Sequence, residues 1–184
     1  MRARGRIFPW RGGNRFELLL DGQAFFPRML ASIDAARQQV EVELYLIEDG
    51  RCSERLVDAL CRAAARGVAV RGLFDAYGAA GLSSLLRERL QAAGVQLRWY
   101  NPVRWRRGLR NFHRDHRKLL LVDGGVGFVG GTGITDEFWN PRKPAVHWHE
   151  VMVEMFGPLL QDWQELFDSQ WVHCLRRRIW QLPL

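Results

Sequence analysis

Lysine is nearly missing from this chain. Of 27 basic residues only Lys118 and Lys143 are lysine, and the rest are arginine. Arginine suits bidentate phosphate contact, but a GC-rich genome produces the same bias. The bias makes Lys118 informative, because a generic cation here would be arginine. Cysteine is also scarce: Cys52, Cys61 and Cys174 are odd in number and widely spaced. Without CxxC pairing they read as reduced packing residues, neither a disulfide framework nor a zinc site. No apolar run approaches the roughly 18–20 residues of a membrane-spanning helix. The basic start, Met1 to Arg6, has no apolar segment after it, so no secretory leader is expected. No motif occurs twice along the sequence. The expected location is cytoplasmic, peripheral at the cell membrane.

What remains is a globular composition. The 184 residues are 47% hydrophobic and 26% charged, enough for one domain with a sizeable core. The formal charge of +7 implies an anionic partner: nucleic acid, an anionic lipid surface or a phosphate-bearing substrate. Residues 1–15 read as a basic lead-in, 16–174 as the domain, and 175–184 as a tail with no obvious element.

Strand and helix patterns alternate through the first hundred residues. Phe16 to Leu20 reads as a strand closed by a turn at Asp21-Gly22. Phe25, Phe26, Met29, Leu30 and Ile33 recur at helical spacing. Val40 to Ile47 reads as a strand, with Glu41 and Glu43 on one face and Val42 and Leu44 on the other. Leu56 to Ala64 is a helix stopped by Gly67, and Val68 to Phe74 a strand. Leu85 to Ala93 is a helix stopped by Gly94, and Val95 to Tyr100 a strand. The alternation predicts an α/β fold with a mixed, largely parallel sheet flanked by helices.

Residues 101–115 then form a basic, aromatic loop. Trp99, Tyr100, Trp105 and Phe112 lie among Arg104, Arg106, Arg107 and Arg110. That interleaving suits a lipid headgroup interface or stacked single-stranded nucleic acid. It equally suits a loop with partly buried aromatics. Lys118 to Val122 and Val126 to Val129 read as a hairpin through Asp123-Gly124-Gly125. Gly130-Gly131-Thr132-Gly133 is a turn, residues 139–147 a loop, and Val151 to Phe156 a strand. A final helix carries Leu159, Leu160, Trp163, Leu166, Phe167 and Trp171 on one face, which reads as core packing.

The chemistry concentrates in His116-Arg117-Lys118 and Asp123. Positions i and i+2 of a strand share a face, so His116 and Lys118 would project side by side. An imidazole serves as nucleophile or proton shuttle, and an ammonium beside it stabilises charge on a phosphoryl oxygen. Asp123 has the opposite parity and reads as a local hydrogen-bonding residue. The Gly-rich turn six residues later can bring backbone N–H groups to an anion. Glu150 is a carboxylate able to hold the second imidazole nitrogen. His113, His147 and His149 suit no strong zinc spacing.

These residues resemble the phospholipase D superfamily. Its signature is His-x-Lys, four residues, Asp, six residues, then Gly-Gly or Gly-Ser, one residue and Asn. The matching positions are His116, Lys118, Asp123, Gly130 and Gly131, with Gly133 where the family has Asn. The stretches Asn111 to Lys118, Gly130 to Glu137 and Trp148 to Pro158 are similar to the N-terminal half of bacterial cardiolipin synthases. The resemblance runs from about Arg11 to Trp171.

It implies a phosphatidyltransferase working through a phosphohistidine on His116, with no metal and no cofactor. Lys118 would bind phosphate, Asp123 would support, and Glu150 would orient the histidine. Arg114, Lys118, Gly131, Thr132 and Gly133 would line the substrate site. The substrate would be an anionic phospholipid resembling phosphatidylglycerol, met at a peripheral membrane surface. The superfamily uses two motifs, so a second motif-bearing half is implied, as a homodimer partner or a missing C-terminal half. The alternatives are a single-motif homodimeric nuclease or phosphodiesterase, and a non-catalytic fragment that binds anionic lipid. Nucleic acid is the less favoured partner.

Overall fold

The computed structural model describes residues 8–139 and 148–179, with side chains of 105–107 and 175–179 left aside. Most of the lead-in, the loop with Pro141, Pro144 and His147, and the last five residues lie outside the described residues.

The strands are β1 (Arg15–Leu20), β2 (Gln39–Leu44), β3 (Ala69–Asp75), β4 (Gln96–Tyr100), β5 (Lys118–Val122), β6 (Val126–Gly130) and β7 (Val151–Phe156). The helices are α1 (Asp21–Ala35), α2 (Arg51–Ala65), α3 (Ser84–Ala92) and α4 (Leu160–Ile179). All seven strands join one mixed sheet in the order β1-β7-β6-β5-β2-β3-β4. Only β2-β3 and β3-β4 pair in parallel, each linked by a helical crossover. The other four pairings are antiparallel. The mixed α/β fold is as expected, but "largely parallel" is corrected. The hairpin β5-β6 and strand β7 return along the other side of β2, so antiparallel pairs outnumber parallel ones.

Two further expectations change. Asp21-Gly22 is no turn between elements: Asp21 sits at φ 62° and the chain enters α1 at once. Helix α4 continues to Ile179, into the stretch expected to be a tail.

Each face of the sheet carries its own core. Phe25, Ile33, Val57 and Leu60 of α1 and α2 cover Val42, Leu44, Leu120 and Val122. On the opposite face Phe167 and Trp171 of α4 cover Leu73, Leu119, Leu121 and Met155. Alternation along β2 therefore sends Glu41 and Glu43 not to solvent but beneath α4, 0% and 1% exposed.

Candidate active site

Strand β5 begins at Lys118, and the extended approach to it carries His116. Tyr45 stands just beyond the end of β2. Its backbone N–H donates to Arg117 O at 3.1 Å, which lays the two chains side by side. The Tyr45 ring stacks on the exposed His116 imidazole at 3.9 Å between centroids and 16° between planes. Lys118 Nζ lies 5.2 Å from the centre of the same ring and donates to His116 O at 2.8 Å. His116 and Lys118 thus flank one aromatic plate. Burial pushes the Lys118 ammonium below its ordinary range, and Glu150 and Asp115 partly restore it. Tyr45 was not foreseen, because residues of separate strands meet here without any sequence signal.

Glu150 arrives at the foot of β7. A β-carbon at Gly131 would come 2.6 Å from Glu150 Oε2, so a larger residue there would push the carboxylate out of its present place. The Gly-Gly turn and Glu150 are one unit, and its charge acts on Lys118. Among the described residues no hydrogen bond joins Glu150 to His116. Asp21 fixes this segment: its carboxylate takes the Glu150 N–H at 3.1 Å and contacts His149 Nδ1 at 2.8 Å. Asp21 N–H in turn donates to Glu150 O at 2.8 Å.

The remaining expected residues have local partners. Thr132 is buried and its hydroxyl donates to Gly133 O at 3.0 Å. Gly133 packs against Leu46, 2.7 Å from where a β-carbon would stand. The Arg114 guanidinium donates to Asn101 O at 2.9 Å and to Asn111 O, and faces Asp75 at 3.4 Å. With 9% of its side chain exposed, it braces the 101–115 loop. Asp123 accepts the backbone N–H groups of Arg37, Gln38 and Gln39, each at 2.8 Å. Burial pushes its carboxyl up, but those three donors outweigh burial and hold it below the ordinary range. It stands at the hairpin turn, clamping the chain between α1 and β2 to β5.

His116, Lys118, Glu150 and the Gly130-Gly131 turn therefore share one end of the sheet, with Asp123 at the opposite end of β5. Sheet order and site together define the phospholipase D-like fold class. A family model described as "Cardiolipin synthase, PLD-like domain" matches residues 29–171, and the chain belongs to that family. Cardiolipin synthase A of Pseudomonas aeruginosa (strain LESB58) is 36% identical over 165 residues, 89% of this chain and 34% of that protein. Its counterpart in Pseudomonas putida (strain GB-1) is 35% identical over 176 residues, 95% of this chain and 36% of that protein. The chain spans about a third of the length of these relatives. Among solved structures, the phospholipase D family member Nuc from Salmonella typhimurium superposes with a TM-score of 0.66 at 20% identity, covering 86% of this chain and 95% of that one. NucT from Helicobacter pylori gives 0.70 at 12% identity, covering 88% and 98%. Phosphatidylserine synthase of Haemophilus influenzae Rd KW20 gives 0.62 at 15% identity, covering 80% and 34%.

Proposed function

We propose that this domain supplies one half of a phosphatidyltransferase site of cardiolipin-synthase type. The observation that carries the reading is the exposed His116 imidazole held on Tyr45, with Lys118 on the same ring. In the forward step His116 attacks the phosphorus of a phospholipid phosphodiester. The P–O bond to the leaving alcohol breaks, and that oxygen takes a proton from an acid on the second half. The hydroxyl of a second lipid then displaces histidine from phosphorus, and its proton passes to the same group. Lys118 holds the phosphoryl oxygens, and its lowered pKa reflects the partly desolvated setting in which such a charge acts most strongly. Gly131 and Glu150 form the wall beside it, and Asp123 supports from the far end of β5.

The single His-x-Lys implies a second motif-bearing half. The 101–115 loop leads directly to His116 and exposes Val103, Leu109 and Phe112 beside Arg104 and Arg110. Apolar tips among cations suit the surface of an anionic membrane, which supports a peripheral location. Among the described residues no helix is long and apolar enough to cross a membrane. The test is phosphatidyl transfer in phosphatidylglycerol vesicles by wild type and His116→Ala, with acid-labile phosphohistidine trapped in parallel. Equal product from both proteins would sink the reading.

A second reading rests on Nuc and NucT, whose folds this chain covers almost end to end. It is a homodimeric phosphodiesterase acting on nucleic acid. Cleavage of single-stranded DNA by the purified chain, without lipid transfer, would favour it. Lipid binding without any trapped phosphohistidine would favour a non-catalytic role instead.

A further inference from the structure

A ring of buried charge lies beneath His116, and the chemistry above does not use it. Asp115 and Arg117 flank His116 in the chain and have the strand parity opposite to it. The Asp115 carboxylate accepts from Arg117 three times: from its N–H at 3.3 Å, from Nε at 3.1 Å and from Nη2 at 3.1 Å. Gln170 of α4 donates to the same carboxylate at 3.1 Å. The Asp115 N–H donates to Asp75 Oδ2 at 3.0 Å, from the end of β3. The backbone on both sides of His116 is thereby pinned by carboxylates.

Glu43 completes the ring from β2. It is 1% exposed, and Arg117 Nη2 stands 2.8 Å from its Oε1. That approach lacks the alignment of a hydrogen bond, and neither Glu43 oxygen has a donor among the described residues. An ionised carboxylate with no donor is very costly in such a place. The neighbour within hydrogen-bonding reach is another carboxylate, Asp115, which can only accept. A proton on Glu43 resolves this, because a carboxylic O–H donates where a carboxylate cannot. Two carboxyls and one guanidinium then carry no net charge.

We propose that Glu43 and Asp115 share one proton, and that the Glu43–Asp115–Arg117 ring is the positioning device that holds the His116 backbone against Tyr45. The proposal extends the reading of His116 as the reactive group. Glu43 touches no substrate and acts through Asp115 and Arg117.

Its other charged surroundings are accounted for. Glu41, on the same face of β2, pairs with Arg71 of β3 at 2.6 Å and takes Gln164 of α4 at 3.0 Å. Asp168 of α4 also pairs with Arg71, at 2.8 Å. Tyr100 at the end of β4 acts on Arg117. Burial, then Asp115, pushes the Glu43 carboxyl up to about 9, while Arg117 pulls the other way. Burial also pushes Asp115 up, but hydrogen bonds from Glu43 and Arg117 leave it below its ordinary range. Arg117 and Gln170 donate to Asp115 while Glu43 has no donor among the described residues, so the shared proton lies toward Glu43.

The test compares wild type with Glu43→Gln, whose amide keeps a donor toward Asp115 at nearly the same size. Two readouts need no enzymatic turnover. The infrared band of a protonated carboxyl is expected in wild type at neutral pH. It should vanish near pH 9 and be missing from Glu43→Gln. The His116 ring proton resonance should move near pH 9 in wild type and not in Glu43→Gln. Where transfer is measurable, wild-type kcat should fall near that pH with KM little changed, and the Gln variant should lack the fall. Identical carboxyl bands in the two folded proteins would overturn the shared proton. A His116 resonance that behaves alike near pH 9 in both proteins would overturn the positioning role. Absence of transfer in either protein would bear only on the proposed function, since both spectroscopic readouts survive it.

Discussion

A β-carbon built on Gly133 meets not only Leu46 Cδ2 at 2.7 Å but also Cγ at 2.8 Å and Cβ at 2.9 Å. The obstruction reaches the root of the side chain, so a rotamer change does not clear it. Restoring the family's asparagine by Gly133→Asn is therefore expected to cost about 1–3 kcal/mol, the usual penalty of overpacking. The paired change Leu46→Ala with Gly133→Asn removes Cγ and Cδ2 but keeps Cβ at 2.9 Å, so it should recover only part of that loss. Thermal unfolding of wild type and the two variants checks this, and an unperturbed Gly133→Asn would remove the steric account. Asp123 permits a second residue-scale prediction. It gains its hydrogen bonds as a carboxylate, so its folded-state pKa is depressed. The stability it adds is present above its unfolded pKa and is lost as pH falls through the folded value. Asp123→Asn should thus be less stable by about 1–2 kcal/mol at neutral pH, with the gap to wild type closing below about pH 4. Melting temperatures across that range are the measurement. The local hydrogen bonding of Asp123 was legible from strand parity and its place at the turn. Tyr45 and Asp21 were not, since a stacked ring and a backbone clamp arise only when distant segments meet.

Within single elements, β2 shows how far a pattern can be read. The alternation of Glu41 and Glu43 with Val42 and Leu44 fixed which residues share a face. Read alone, it would put a charged face toward water, as in a sheet covered on one side. Helix α4 lies over that face: Glu41 is buried against Arg71 and Gln164, and Glu43 is buried beside Asp115 and Arg117. Helical and strand periodicity located the elements because each buries one face. The parallel share was overestimated because the hairpin β5-β6 and strand β7 come after the helical crossovers, and where they join the sheet relative to β2 is a tertiary matter. The buried acid has a measurable consequence for stability. Glu43 has its folded-state pKa raised to about 9, so the folded protein holds a proton that the unfolded chain releases near pH 4–5. Stability falls as pH rises through that window and levels off above about 9. Glu43→Gln removes this dependence. It is expected to melt higher than wild type at neutral pH, by the equivalent of about 1 kcal/mol or more, with the gap widening toward pH 9. A gap that stays constant from neutral pH to pH 9 would show Glu43 ionised throughout.

At the scale of the molecule the edge of the sheet is unusual. Strand β1 sends Leu19 into the core under α1, while Phe16, Leu18 and Leu20 remain 57%, 67% and 56% exposed on the other face. They pair in register with Met155, Val153 and Val151 of β7, and Val151 is itself exposed. Helix α4 covers this face farther along the sheet, and among the described residues its edge is left exposed. Leu20 and Val151 adjoin Glu150, so the apolar strip runs up to the proposed half-site. Such contiguous exposure commonly marks an interface. If the second motif-bearing half packs here, Leu18→Glu should leave the fold of this domain nearly as stable as before, within about 0.5 kcal/mol. In the active assembly it should cut phosphatidyl transfer by about tenfold or more, because a charge would be buried unpaired at the contact. Leu85→Glu, equally exposed on α3, is the matched control and should change neither quantity. Transfer by Leu18→Glu equal to that of Leu85→Glu would mean that the strip faces something other than the second half.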